Sequence, residues 1–260
     1  MVIFAVLLVV VVVVGAGLAL TFGDGNPPAT GSGKLERLTI GRGARGATIV
    51  RPADTDRPLP GVIFLHGWRQ TETSDYRAWI EHLARRGNAV VVPRYQDSLR
   101  TPPDRVLENA LAGIRAAFAE SPVEPESLVV AGHSAGGLMA ADYAVAAASS
   151  PALPDARALF IVYPGGVIRG FPRPVPAPDP SALPTDTHLL VLAGAEDRVV
   201  GEAPAAELVA GATQIPSDRR RLVHVTDPSV DDHRGPERRG PAARAAFWSR
   251  LDQLIAASRG

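Results

Sequence analysis

Apolar residues in this chain fall into two alternating patterns. Short unbroken runs occur at Gly61-Val62-Ile63-Phe64-Leu65, Ala89-Val90-Val91-Val92, Val129-Val130-Ala131, Ala158-Leu159-Phe160-Ile161-Val162 and Leu189-Leu190-Val191-Leu192-Ala193. Their length and β-branched content predict strands covered on both faces. Between the runs, apolar positions recur at helical spacing. Trp79, Ile80 and Leu83 share a face within 74–86, and Val106, Leu107, Leu111, Ile114 and Phe118 do so within 103–120. Further strands are predicted at 35–40, 46–51 and 221–226, and further helices at 204–210 and 241–257. Strand and helix alternate throughout, which demands an α/β fold: a mostly parallel central sheet with helices on both faces. Functional residues in such sheets collect beyond the carboxyl ends of the strands.

One junction carries chemistry. Gly132-His133-Ser134-Ala135-Gly136 joins an apolar strand to an alanine-rich helical pattern, which makes it a G-x-S-x-G turn in strand–turn–helix context. So sharp a turn needs residues almost without side chains two before and two after the serine, and Gly132 and Gly136 meet that demand. Ser134 is the candidate nucleophile. A hydroxyl is a weak nucleophile at neutral pH and needs a base, which in turn needs an orienting acid.

Both partners have candidates further along. The strand ending at Gly194 is followed by Ala195-Glu196-Asp197, which puts a carboxylate just past its carboxyl end. The last strand is followed by a loop containing Asp231-Asp232-His233. His233 can reach back over the sheet, whereas His224 alternates with apolar residues inside the strand and reads as a half-buried structural histidine. Asp231, Asp232 and His233 also invite a metal reading, but three adjacent residues seldom converge on one ion and no second His or Cys cluster supports them.

Together His66-Gly67-Trp68, Gly132-His133-Ser134-Ala135-Gly136, Asp197 and His233 resemble the α/β-hydrolase superfamily, in its carboxylesterase and dienelactone-hydrolase-like part. The resemblance spans about residues 45–258. It implies a catalytic triad of Ser134, Asp197 and His233, with Asp197 favoured over Glu196 because such families place an aspartate three residues after the strand's glycine. It also implies an oxyanion hole built from the N–H groups of Trp68 and Ala135, with His66 fixing the loop, and it calls for no metal or organic cofactor. The expected activity is hydrolysis of small-molecule carboxylic esters through an acyl-enzyme. A thioesterase, lactone hydrolase or peptidase on the same triad is the alternative, as is a non-catalytic tethered binding protein.

No long insertion follows the sixth strand, so a large helical cap is not expected. Proline is dense instead at Phe171-Pro172-Arg173-Pro174-Val175-Pro176-Ala177-Pro178-Asp179-Pro180, which forbids a helix and predicts a stiff extended loop. It reads either as a minimal lid or as a rigid surface connection. Trp68, Tyr95, Tyr163 and Phe171 sit near strand ends and are the candidate substrate walls, though such aromatics equally fill cores.

Residues 1–22 form an apolar run without a charged residue, long enough to cross a bilayer. An uncleaved anchor is favoured over a signal peptide, because no basic segment precedes it, although Gly17-Leu18-Ala19 offers a cleavage site. A buried helix or a misassigned start codon are the remaining readings. Residues 23–34 read as a flexible Gly/Pro/Ser tether, and 35–260 as one catalytic domain. The tether favours the outer face of a membrane, against the basic residues that begin at Lys34. Lys+Arg and Asp+Glu both number 27, so no basic excess exists to bind nucleic acid. Cysteine is absent, which removes thiol chemistry. Lys34 is the only lysine among many arginines, which with abundant Ala, Gly and Pro suggests a GC-rich bacterial genome. Oligomeric state has no signal.

Overall fold

The computed structural model describes residues 33–68 and 74–259. The apolar run 1–22 and most of the tether lie outside them. Among the described residues no helix is long and apolar enough to cross a membrane.

Eight strands form one sheet: β1 (Leu35–Ile40), β2 (Ala47–Pro52), β3 (Gly61–Leu65), β4 (Ala89–Pro93), β5 (Val129–His133), β6 (Ala158–Val162), β7 (His188–Gly194) and β8 (Arg220–Val225). Their order is β1-β2-β4-β3-β5-β6-β7-β8. β2 pairs antiparallel with β1 and β4, and every pairing from β4 through β8 is parallel. All the loops that follow β3 to β8 therefore open on one edge.

The unbroken apolar runs are explained by two buried faces. In β3, Ile63 and Leu65 enter one core and Val62 and Phe64 the other, and β6 divides Leu159 and Ile161 from Phe160 and Val162 in the same way. The first core is covered by α2 (Val106–Glu120), α3 (Ala135–Ala148) and α4 (Ala203–Gly211). The second is covered by α1 (Arg77–Arg85) and by a C-terminal helical segment. Each fully buried Leu, Ile or Phe stabilises the fold by about 1.5–3 kcal/mol. The edge strands β1 and β8 are the exception: every residue in them except Val225 is at least partly exposed.

Two predicted helices differ in detail. The region predicted as a helix from 103 opens with a 3-10 turn at Pro103–Arg105 before α2 proper. The C-terminal helix is not continuous: α5 (Pro241–Ala243) and α6 (Ser249–Ala257) flank a π-helical turn at Arg244–Trp248. That wider turn lets the consecutive residues Ala246, Phe247 and Trp248 all face the core. Phe247 meets Tyr163 edge-on at 5.8 Å, and Trp248 stacks on Trp79 at 6.3 Å.

The proline-rich loop is folded back on itself rather than simply extended. The Val175 N–H donates to the Gly166 carbonyl at 2.8 Å, and the buried Val175 side chain anchors the return. Arg173 pairs with Asp104 ahead of α2, so the loop is tied across the open edge of the sheet.

Candidate active site

Ser134 is the single residue between β5 and α3, at φ 57° and ψ −122°. A side chain rarely adopts this backbone region, and the surroundings enforce it. Its N–H donates to the Val162 carbonyl at 3.0 Å, and its own carbonyl accepts from Gly137 N–H at 2.9 Å. A Cβ at Gly132 would lie 2.1 Å from the Gly136 carbonyl oxygen. One at Gly136 would lie 2.2 Å from the Leu65 oxygen and 2.4 Å from that of His66. The two glycines thus allow the turn to close and let the start of α3 press against the end of β3.

The structure brings Ser134, His233 and Asp197 together. His233 Nε2 lies 3.0 Å from Ser134 Oγ, and its Nδ1 lies 2.7 Å from Asp197 Oδ2. The Asp197 side chain is fully covered, while 15% of the His233 side chain remains exposed. The other carboxylate oxygen of Asp197 accepts the N–H groups of Val199 at 2.9 Å and Val200 at 3.1 Å. Burial pushes this carboxyl up, but the hydrogen bond and charge of His233 and the two backbone donors outweigh it and hold it below the ordinary value. The acid and base loops also touch directly, Glu196 N–H donating to the Asp231 carbonyl at 3.3 Å. Glu196 itself turns outward to Arg198. Among the described residues no group of three His, Cys, Asp or Glu is disposed to hold a metal.

The loop after β3 is fixed from below. His66 Nδ1 lies 2.9 Å from the Gly67 carbonyl oxygen and Nε2 3.2 Å from that of Arg94. Burial lowers its pKa to about 4 against the pull of both carbonyls, so the ring is neutral and donates only one proton. Trp68 follows on this loop. Neither its N–H nor that of Ala135 donates to an acceptor among the described residues. At Gly136, the residue after Ala135, the backbone of α3 packs directly against the Leu65 and His66 carbonyls at the start of the loop that carries Trp68.

Of the candidate walls, Trp68 and Phe171 meet edge-on at 5.6 Å, and both retain exposed surface. Tyr95 and Tyr163 do not line a cleft, which corrects the expectation from sequence: both are fully buried. Each turns inward because its hydroxyl finds a loop carbonyl. Tyr95 donates toward His66 and Gly67, and Tyr163 to Val230 at 2.9 Å. Both tyrosines have positive φ, as Ser134 does, so the chain makes a strained turn after β4, after β5 and after β6, of which β5 and β6 are neighbours in the sheet. His224 is also corrected. It is exposed on the edge strand β8 and faces Glu202 at 3.1 Å, away from Ser134.

Sequence reasoning missed Tyr76 and the part played by His133. Tyr76 Oη lies 2.6 Å from His133 Nδ1 and accepts the Gly67 N–H at 3.3 Å. Nothing in the local pattern distinguishes a tyrosine entering α1 from an ordinary amphipathic position.

This chain belongs to the α/β-hydrolase family, whose sequence profile, described as alpha/beta hydrolase fold, matches residues 62–191. No curated protein matches the chain in sequence. Among solved structures, Thermogutta terrifontis esterase 2 phosphoramylated by tabun superposes with a TM-score of 0.65 at 18% identity, covering 89% of this chain and 96% of that one. A Klebsiella pneumoniae chain assigned as a dienelactone hydrolase gives a TM-score of 0.63 at 18% identity, covering 86% and 99% respectively. An esterase from Rhizomucor miehei gives 0.61 at 18%, covering 87% and 83%. At such identities the likeness is one of fold.

Proposed function

We propose that this protein is a serine hydrolase that cleaves carboxylic esters through an acyl-enzyme. The observation that carries the reading is the unbroken sequence of contacts Ser134 Oγ to His233 Nε2 and His233 Nδ1 to Asp197. His233 takes the proton from Ser134 as Oγ attacks the ester carbonyl, then delivers it to the departing alkoxide. Water, activated by the same imidazole, hydrolyses the acyl-enzyme and restores Ser134. Asp197 keeps the proton of neutral His233 on Nδ1, leaving Nε2 free to accept, and stabilises the imidazolium once it forms.

The N–H groups of Trp68 and Ala135 are the oxyanion donors in this reading, each worth about 3 kcal/mol of transition-state stabilisation. Trp68 and Phe171 form an aromatic wall beside them, suited to an apolar acyl or alkyl group. The neighbours add support by their chemistry. The Thermogutta esterase is phosphonylated by cyclosarin, a reaction of an activated nucleophile, and has been captured with butyrate and with propionate.

The test is steady-state and burst kinetics on short-chain p-nitrophenyl esters. The wild-type protein is expected to turn over, and Ser134→Ala to lose at least about 10⁴-fold in kcat with its fold intact. A Ser134→Ala protein that keeps substantial turnover would overturn the reading.

A further inference from the structure

Beneath the nucleophile lies a buried polar chain that acyl transfer, as described above, does not use. It starts at Gly67, the residue before the oxyanion donor Trp68, whose N–H donates to Tyr76 Oη at 3.3 Å. Tyr76 has one proton to give. Among the described residues the acceptor within reach is His133 Nδ1 at 2.6 Å, which leaves the imidazole proton of neutral His133 on Nε2. Both side chains are buried, Tyr76 fully and His133 to within 2%. The fit is close, since a Cβ at Gly67 would lie 3.2 Å from both His133 Nδ1 and Tyr76 Oη.

The far end of the chain points at the base. His133 Nε2 is buried and has no hydrogen-bond partner among the described residues. Its ring lies 4.9 Å from the ring of His233, and the polar groups acting on it are the His233 imidazole first, then the Asp197 carboxylate and the His233 backbone. A buried N–H without an acceptor is costly and rare in a core. Here it stands beside the one loop that must hold its position while His233 gains and loses a proton.

We infer that Tyr76 and His133 are positioning residues, joining the oxyanion loop, the nucleophile turn and the His233 loop into one unit. The inference rests on the triad reading above. Tyr76 fixes the loop carrying Trp68 through Gly67, and fixes the tautomer of His133. His133 then supports the base through the contact of its ring with the His233 ring. Burial, reinforced by the neighbouring His233, holds its pKa down at about 3, so it stays neutral and does not compete for the proton that His233 moves.

Two measurements on the full chain test this. The first needs no substrate: imidazole ¹⁵N NMR of histidine-labelled protein, with His133 assigned by His133→Asn. The expected result is one neutral, Nε2-protonated ring that does not titrate between about pH 5 and 9, in contrast to an ordinary histidine. In Tyr76→Phe, Nδ1 loses its donor and the ring is expected to populate both tautomers. A wild-type His133 that is Nδ1-protonated, or that titrates in this range, would overturn the inference.

The second measurement separates kcat from KM on a short-chain p-nitrophenyl ester. Tyr76→Phe is expected to lower kcat by about ten- to a hundredfold, with KM little changed, as a small misplacement of reacting groups does. His133→Ala is expected to do the same. His133→Asn, whose Oδ1 can accept from Tyr76 near the Nδ1 position, is expected to recover part of the loss. A folded Tyr76→Phe protein with wild-type kcat, its melting temperature lowered or not, would contradict the inference. A wild-type protein without turnover would instead count against the triad reading, and the tautomer measurement would still decide the geometry of His133.

Discussion

A methyl group added at Gly136 would lie 2.2 Å from the carbonyl oxygen of Leu65. No side-chain movement relieves such a clash, because both partners are backbone held by a helix and a strand. Gly136→Ala is expected to force the start of α3 away from the end of β3. In the proposed mechanism this separates the Ala135 and Trp68 N–H groups, and turnover is expected to fall by about 10²-fold or more, as when one oxyanion donor is removed. Comparing kcat of this variant with that of Gly240→Ala, an alanine in open space, checks the point.

Asp197 accepts from His233 and from two backbone N–H groups, so its place does not depend on its charge alone. Asp197→Asn is expected to preserve the fold while presenting His233 in the wrong tautomer to Ser134. A drop in kcat of about 10⁴-fold with little change in KM is the expected outcome. A loss below tenfold would point to another orienting group.

Much of this site was legible from the chain because it depends on local rules. Gly132 and Gly136 flank Ser134 at the spacing a tight turn requires, and an acid and a histidine each follow a recognisable strand. Burial on both faces of β3 to β7 made the strands visible as unbroken apolar runs. The remainder depends on contacts distant in sequence. Tyr95 and Tyr163 sit at strand ends, as wall residues would, but whether a tyrosine faces a cleft or the core is decided by the carbonyl its hydroxyl meets. For Tyr163 that carbonyl belongs to Val230, 67 residues away. Tyr76 and His133 are 57 residues apart, and neither carries a local mark of the other.

Two buried histidines set the acid limit of stability. His66 gains its proton near pH 6.5 when unfolded but only near 4 when folded, and His133 only near 3. Between those values the unfolded chain binds more protons, so stability falls as pH drops from about 6.5 toward 4. Each pH unit costs about 1.4 kcal/mol per histidine in this window. Asp197, held below 3.8 when folded, adds its own loss only at lower pH. Urea unfolding of an Asp142→Asn protein, which lacks a raised carboxyl that acts with the opposite sign in this window, is expected to give a clearly lower midpoint at pH 5 than at pH 7, and equal midpoints would contradict the burial of these rings.

Asp142 works in the opposite sense. Burial raises its pKa from 3.8 to about 7, and its Oδ2 makes no hydrogen bond among the described residues. The folded protein binds more protons than the unfolded chain between these values, so this group lowers stability as pH rises through them. Asp142→Asn removes the charge, and a gain of about 1–2 kcal/mol at pH 8 is expected, with little change near pH 4. Thermal unfolding of both proteins at the two pH values gives the comparison.

The triad itself is tested most directly by a fluorophosphonate probe, with the adduct located by peptide mass spectrometry. One adduct on Ser134 is expected in the wild-type protein and in His224→Ala, with labelling slowed at least about 10³-fold in His233→Ala. An unlabelled Ser134 in a folded protein, or labelling that survives His233→Ala and fails in His224→Ala, would contradict the assignment of nucleophile and base.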